Sequence, residues 1–527
     1  MKRVLVSDTL AKQGIEKLKN AEGIEVDVRT DLTPDELKEI IKDYDGLAIR
    51  SATKVTEEVI GAAERLKVIG RAGIGLDNVA VEAASKKGIV VMNTPGGNTI
   101  TTAEHAIAMM LSLARRIPQA TASTKAGRWE KKKFMGSEVS NKTLGIIGIG
   151  RVGSIVANRA QGLTMNVMAY DPFISHEAAE KMGISLAPLD EVLQRADFIS
   201  VHTPLTEETR GLINAASFEK MKHGVFVINC ARGGIIDEGD LYDALVSGKV
   251  AGAALDVFVD EPTGNSELLS LDNIICTPHL GASTDEAQRN VAIAIADQIV
   301  DCLTTGEIKN AVNFPSVSAE VLALIKPFLT LGEKVGSFVT QIVAGGIREV
   351  TIEYSGAILD HNVAPVTISF LKGLLTPALK ESVNYINAPV IAKERGIRIV
   401  ESKSSEMKDY KNMISATVKT DQEESFAAGA IFGREDLRII RINQFMLDVI
   451  PEGSMLMLYN HDRPGVIGNI TTTLGNDNVN IARLHLSREQ VDGKALVVLS
   501  TDSPVSRDTM TKLRALPNII SVIGIEM

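Results

Sequence analysis

Four side chains spaced along the middle of the chain have the types needed to move a hydride and a proton. Asp171, Arg232, Glu261 and His279 follow, in that order, a glycine-rich turn built from Gly148, Gly150, Arg151, Val152 and Gly153. Oxidising a secondary alcohol needs a base for the hydroxyl proton and a dinucleotide placed to take the hydride. His279 is the candidate base, because an imidazole exchanges protons near neutral pH and a neighbouring carboxylate, here Glu261, favours its protonated form. Arg232 is the candidate anchor for a substrate carboxylate, since a planar guanidinium holds two acceptors at fixed geometry. Taken singly, each has a plainer reading: a hydrogen-bonding loop histidine, a surface charge, a Glu-Pro turn. The order and combination favour chemistry.

The glycines stand where a phosphate cradle requires them. An apolar run over 142–147 reads as a buried parallel strand, and 154–160 reads as helix. Gly148 would permit the tight turn, Gly150 would let the backbone approach a pyrophosphate, and Gly153 would let the helix pack closely, with the helix N-terminus facing the phosphate charge. Asp171 ends the next strand, 165–170, roughly 20 residues beyond the turn, where a carboxylate accepts hydrogen bonds from ribose hydroxyls. It would repel a 2′-phosphate, and no arginine follows closely, so NAD is expected rather than NADP.

Further elements must hold these residues. A chain of 527 residues exceeds one ordinary core, and its 45% hydrophobic content suits several packed ones. A net charge of -10 without a basic stripe argues against nucleic acid or an anionic membrane as partner. Cys230, Cys276 and Cys302 show neither disulfide nor metal-ligand spacing, so no metal is expected and a reducing compartment is. The first residues enter a strand pattern at once, without a signal-peptide run, and the apolar stretch 103–113 is too short to span a bilayer; a cytoplasmic location is expected. Strand-like runs at 4–6, 46–49 and 66–70 alternate with helical stretches before the glycine turn, suggesting a separate α/β unit and a cleft between two such units. A helix over 101–116 would cross between the units and one over 287–303 would cross back. Most of the other histidines, His105, His176, His223, His361 and His485, read as structural; His202 is intermediate.

Several motifs together resemble the D-2-hydroxyacid dehydrogenase family: the segments 50–55, 70–79 and 93–98, the glycine turn, 229–237, 254–258, Glu261-Pro262 and 277–284. The likeness is greatest to its long members, which oxidise 3-phosphoglycerate to 3-phosphohydroxypyruvate with NAD at the entry to serine biosynthesis. It implies an α/β fold in which a Rossmann-type NAD-binding domain (99–287) is inserted in a flavodoxin-like substrate domain (1–98 and 288–312). It also implies catalytic Arg232, Glu261 and His279. Thr203, Pro204, Cys230, Ala231, His279 and Gly281 would join the glycine turn and Asp171 around NAD, with Asp256 on the nicotinamide carboxamide. Arg50, Ser51 and Asn98 would contact substrate, and Arg71 would help hold its phosphate. The basic segment 127–134, with the single Trp, would be a subunit contact.

After about residue 313 the catalytic pattern stops. A helical stretch from Ser318 to 343 gives way to strand-like runs, and the resemblance implies an α+β intervening domain over 313–451, where Lys403, Arg438 and Arg441 could meet an anion. The last part, 452–527, reads as strand, helix, strand, strand, helix, strand, a ferredoxin-like unit, and resembles an ACT domain. Asn460, Asp462, Gly465, Val466 and Asn480 would then bind an amino-acid effector, with L-serine the expected one; the plainer reading is a dimerisation unit. A homotetramer is expected. Two other functions stay open: a dehydrogenase of another 2-hydroxy acid, in the glyoxylate or hydroxypyruvate class, and a non-enzymatic NAD sensor.

Overall fold

The computed structural model describes residues 1–315, 319–379, 383–404 and 410–527. Its strands fall into four sheets. The first is wholly parallel and runs Ile24–Val28, Lys2–Val6, Gly46–Ile49, Val68–Arg71, Val90–Met92. In chain order this is 2-1-3-4-5, the flavodoxin-like winding. Helices cover both faces, so the central strand Gly46–Ile49 is buried at every position, as a parallel sheet demands.

The second sheet has seven parallel strands. Thr143–Ile147 is an interior strand, flanked on one side by Asn166–Tyr170 and Ser185–Leu186. On the other side come Phe198–Val201, Val225–Asn229, Val250–Leu255 and Ile274–Cys276. The chain therefore reverses direction of winding beside Thr143–Ile147, the switch point where doubly wound folds bind ligands at strand C-termini.

Two long helices connect these sheets. Thr99–Ala114 sends Ala103, Ala106 and Met110 into the second core. Asp285–Thr304 returns and sends Val291, Ile295 and Ile299 into the first. Its start is fixed by Thr284, whose side chain accepts from Ala287 N at 3.2 Å, with Asp285 and Glu286 favourably placed in the first turn. The crossover helix expected over 101–116 ends sooner, because Arg116 adopts a φ of 51° and a second helix, Ile117–Lys125, begins there.

The remaining sheets form a joint C-terminal body. Ala319–Ile342 and Ala364–Leu375 pack on a six-stranded mixed sheet whose only parallel pair is Ile347–Ser355 with Arg398–Ser404. The helix was expected from Ser318, which lies outside the described residues. The last sheet, four antiparallel strands, carries the helices Val466–Asn476 and Arg507–Arg514 in ferredoxin-like order. Alternation along its first strand divides two cores: Leu456 and Leu458 face its own helices, while Met455 and Met457 enter the core of the six-stranded unit. Gln341 reinforces the join, donating to Glu526 O at 2.8 Å and accepting from Glu526 N at 3.0 Å.

A second junction ties this body to the first sheet. Ile386 is buried in the first core, Asn384 Nδ2 donates to Gly88 O at 3.1 Å, and Lys86 Nζ meets Glu394 Oε1 at 3.0 Å. None of the helices among the described residues is long and apolar enough to cross a membrane.

Candidate functional site

A cleft of about 1070 Å³ opens between the first two sheets, large enough for a dinucleotide and a small substrate together. The wall from the first-sheet unit contains Arg50, Ser51, Arg71 and Asn98; the other wall contains Cys230, Ala231, Arg232, Asp256, Glu261 and His279. Arg151, Val152, Thr203, Pro204 and Gly281 also line it. Gly148, Gly150, Gly153 and Asp171 do not line this cavity and instead shape the turn beside it.

That turn is constrained as a phosphate cradle would be. Gly148 has a φ of 95°, and a Cβ there would lie 2.8 Å from His202 O. At Gly153 a Cβ would lie 2.0 Å from Gly148 O, so the third glycine keeps the turn itself closed as well as the helix close to its strand. A Cβ on Gly150 would meet nothing within 4 Å, leaving that approach open. Asp171 reaches back to the turn: Oδ2 accepts from Ile149 N at 2.8 Å and Oδ1 accepts from Phe173 N at 2.8 Å. Each carboxylate oxygen keeps a lone pair for a further donor. Thr203 Oγ1 is buried in the cleft wall without a partner, a further atom that a ligand could satisfy. These features fit a dinucleotide.

His279 and Glu261 are brought together, with His279 Nδ1 2.7 Å from Glu261 Oε2. Glu261 is itself oriented, because its Oε1 accepts from Phe258 N at 3.1 Å. With Nδ1 occupied, Nε2 is the nitrogen left for a substrate proton. Asn229 shapes the loop of Arg232 by accepting from Ala231 N at 3.0 Å and donating to Arg232 O at 2.9 Å.

The facing wall is cationic. Burial, followed by the repulsion of Arg232 and Arg50, lowers the Arg71 guanidinium to about 10, against the opposing influence of Asp77 and Asp8. Arg71 Nε is buried without a partner. Three guanidinium groups thus share one corner, and among the described residues no carboxylate lies within ion-pair distance of Arg50 or Arg71, which is the electrostatic signature of an anion site.

Sequence reasoning missed the supports of this corner. Asp8 Oδ2 accepts from the backbone N–H groups of Arg50, Ala52 and Thr53 at 2.9, 3.1 and 3.0 Å. Asn78 Nδ2 donates to Arg50 O and Thr53 O at 2.6 and 2.7 Å. The loop bearing Arg50 and Ser51 is therefore clamped from both sides. Asp8 falls in a short strand pattern that gives no signal of this role, and Asp77-Asn78 fall inside the 70–79 motif, which assigns neither a role. Arg151, expected beside NAD as part of the glycine turn, donates to Pro95 O across the cleft at 2.9 Å.

Asp256 is more fully engaged than expected. Its Oδ1 accepts from Thr277 Oγ1 at 2.6 Å and Leu280 N at 2.7 Å, its Oδ2 accepts from Gly281 N at 2.8 Å, and His105 Nε2 lies 3.2 Å from Oδ1. Burial would raise this carboxyl, but the bonds from His105, Thr277 and Leu280 outweigh it and hold it below the usual range. His105, read from sequence as a structural helix residue, stands directly behind the site. His202 hydrogen bonds Ser200 Oγ at 2.8 Å, and burial drives its imidazole down to about 4. Burial also pushes the thiol of Cys276 up to about 11 and that of Cys230 higher still.

Of the expected effector residues, Asn460, Asp462, Gly465 and Val466 gather at the N-terminus of the first helix of the last sheet, whereas Asn480 lies at the opposite end of that sheet, beside Thr501 and Asp502. Gly465 caps Val466–Asn476 with a φ of 88°, and Asn460, 2% exposed, has a buried Oδ1 without a partner. Val466 is buried, Asp462 meets Arg488 at 3.4 Å, and Asn480 donates to Asp502 at 2.7 Å. Of Lys403, Arg438 and Arg441, the cations expected to meet an anion in the six-stranded unit, the two arginines are otherwise committed. Arg438 contacts Asp436 and Asp448, while Arg441 lies over the Phe426 ring and donates to Asn443 O at 2.7 Å.

Known proteins resemble the chain along its whole length. Residues 107–281 match the D-isomer specific 2-hydroxyacid dehydrogenase NAD binding domain, 324–443 the D-3-phosphoglycerate dehydrogenase intervening domain, and 454–518 the ACT domain. A D-3-phosphoglycerate dehydrogenase of Archaeoglobus fulgidus is 45% identical over 528 residues, covering 100% of both chains. One from Synechocystis is 45% identical over 98% of this chain and 94% of its own. Among solved structures, a D-lactate dehydrogenase from Aquifex aeolicus complexed with NAD and lactic acid is similar with a TM-score of 0.53 and 29% identity, over 60% of this chain and all 100% of that one.

Proposed function

The chain belongs to the D-3-phosphoglycerate dehydrogenase family, and from that premise we propose how its cleft oxidises 3-phosphoglycerate to 3-phosphohydroxypyruvate with NAD. The observation that carries the assignment of roles is the pairing of two devices in one cleft: the His279–Glu261 couple at 2.7 Å, and a corner where Arg232 of the same wall meets Arg50 and Arg71 of the other. A substrate with a carboxylate at one end and a phosphate at the other needs both cationic positions. A lone 2-hydroxy acid would leave Arg71 without a counter-charge.

Arg232 holds the substrate carboxylate and the reacting oxygen. Arg71, with Arg50 and Ser51 on their clamped loop, receives the phosphate, and Asn98 adds a polar contact. His279 takes the hydroxyl proton on Nε2 while Glu261, on Nδ1, fixes the ring and stabilises the imidazolium. The turn of Gly148, Gly150 and Gly153 would hold the NAD pyrophosphate, Asp171 its ribose, and Thr203 and Pro204 its adenosine half. When bound, NAD supplies the acceptor for the C2 hydride. Cys230, Ala231, Gly281 and Asp256 line the nicotinamide end, with Asp256 acting chiefly on the loop of His279, since its oxygens already accept from protein donors.

We also infer that L-serine acts as effector at Asn460, Asp462, Gly465 and Val466, and that Asn480, at the other end of its own sheet, joins such a site only from a second copy of the chain. The unpartnered Asn460 Oδ1 beside the N-terminus of an 11-residue helix supports a ligand with both an ammonium and a carboxylate. A cytoplasmic homotetramer completes the reading. Trp129 and Met135, 77% and 78% exposed, support a subunit contact on one unit, and Leu484 and Leu486 on an edge strand support one on another.

The test is NADH formation from 3-phosphoglycerate and NAD, with D-lactate and glycerate as controls, repeated with millimolar serine. Turnover confined to 3-phosphoglycerate and lost in His279→Asn supports the site. Equal turnover of D-lactate overturns the role given to Arg71, and insensitivity to serine overturns the effector reading alone.

A further inference from the structure

The interdomain helix Thr99–Ala114 presents Thr102, His105 and Met109 on one stripe, three and then four residues apart. All three meet the loop that carries His279. Thr102 Oγ1 reaches Gly281 O at 3.1 Å, His105 Nε2 lies 3.1 Å from Thr277 Oγ1, and Thr277 Oγ1 lies 3.9 Å from Met109 Sδ. The same Thr102 hydroxyl sits 2.9 Å from Asn98 O, at the mouth of the cleft.

The loop has a backbone conformation that favours outside support. His279 has a φ of 54°, a left-handed conformation that costs free energy outside glycine and persists where neighbours over-determine it. Asp256 provides that restraint: its carboxylate accepts from Leu280 N and Gly281 N, and its carbonyl accepts from His279 N at 2.9 Å. The Thr277 hydroxyl hydrogen goes to Asp256 at 2.6 Å, which leaves its lone pairs for a donor. His105 Nε2–H is positioned to serve both the Thr277 oxygen and Asp256 Oδ1. The Asp256 side chain is only 1% exposed, so water is a poor replacement for that donor.

We propose that His105 is a positioning residue for the proton transfer: through Asp256 and Thr277 its Nε2–H sets the His279 loop against the interdomain helix. The helix begins at the substrate-side wall, so the contact also ties the geometry of one wall to the base on the other. The inference rests on His279 being the proton carrier, and deepens that reading without extending the substrate range.

The experiment compares His105→Leu, His105→Gln and Thr277→Val with His279→Asn in the full-length protein. NADH binding and thermal melting check that each variant is folded. His105→Leu should lower kcat by about ten- to hundredfold, the cost of a small misplacement of a reacting group, with KM for 3-phosphoglycerate changed far less. The isotope effect with substrate deuterated at C2 should rise, and the pH profile of kcat/KM should move. His105→Gln, whose amide N–H reaches the same acceptors, should recover most of the rate. A folded His105→Leu with normal kcat, isotope effect and pH profile overturns the proposal, as does equal impairment of His105→Gln. Should His105→Leu not fold, Thr277→Val carries the test: reduced kcat supports the relay and unchanged kcat overturns it. Turnover persisting in His279→Asn would instead sink the proton-carrier reading beneath it.

Discussion

Asp77 Oδ2 lies 3.1 Å from Arg232 Nε, so a carboxylate from the first-sheet wall holds the guanidinium of the facing wall. The pair is unequal in exposure, with side-chain values of 68% for Asp77 and 28% for Arg232. An anionic substrate arriving at Arg232 competes with this partner. Asp77→Asn should therefore lower KM for 3-phosphoglycerate about two- to fivefold at low ionic strength, within the range of a half-exposed ion pair, and the difference should shrink as salt is added. Steady-state kinetics across a salt series decides it; a raised KM would show that Asp77 orients Arg232 instead of competing for it.

Arg71 should govern discrimination by phosphate. Replacing it with Leu removes charge-assisted bonds to a phosphoryl group, which corresponds to about ten- to hundredfold in kcat/KM for 3-phosphoglycerate. Glycerate, which lacks the phosphate, should lose little. The ratio of the two specificity constants is the readout, and a parallel loss for both substrates would remove Arg71 from phosphate recognition.

His202 gives a pH signature in stability. Its folded value is down at about 4 through burial, whereas an unperturbed imidazole titrates near 6.5. Between those values the unfolded chain binds a proton that the folded chain lacks. Stability from this group is thus full above about pH 6.5, falls as the pH drops, and reaches its floor below about pH 4. His202→Gln should flatten that part of a plot of Tm against pH, even if its Tm is lower throughout. An acid limb unchanged from the parent would place the effect elsewhere.

The cleft cysteines should resist alkylation. Cys230 and Cys276 line the cavity, yet burial raises both thiols, Cys276 to about 11, so little thiolate exists near neutral pH. Iodoacetamide at about pH 8 should leave activity intact over an hour-scale incubation. Rapid inactivation that NAD prevents would contradict this.

Much of the site was legible from sequence because its parts are local. Strand, glycine turn, helix and Asp171 occupy one contiguous stretch, and His279 with Glu261 fall in short motifs whose residue types already state a chemistry. The supports were hidden because they are long-range: Asp8 bonds backbone groups more than 40 positions away and contributes nothing to local pattern. The contact of His105 was hidden for the same reason, since a helix position does not reveal that Thr277, 172 residues on, is its neighbour. In the first sheet, Ile24–Val28 alternates apolar and acidic residues, and Val90–Met92 is only three residues long. Neither gave the strong run that identified the other strands.

The divided faces of the Ser454–His461 strand bear on how the chain can be shortened. Met455, Met457, Leu496, Val498 and Ile525 all fill a core that belongs mostly to the preceding unit. A protein cut after the six-stranded sheet would lose these five side chains and present their apolar bed to solvent. The excised last unit would carry an uncovered apolar sheet face of its own. Neither fragment inherits a finished surface, so a search for effector binding on the isolated unit, or for unregulated turnover in the truncated one, would report first on self-association.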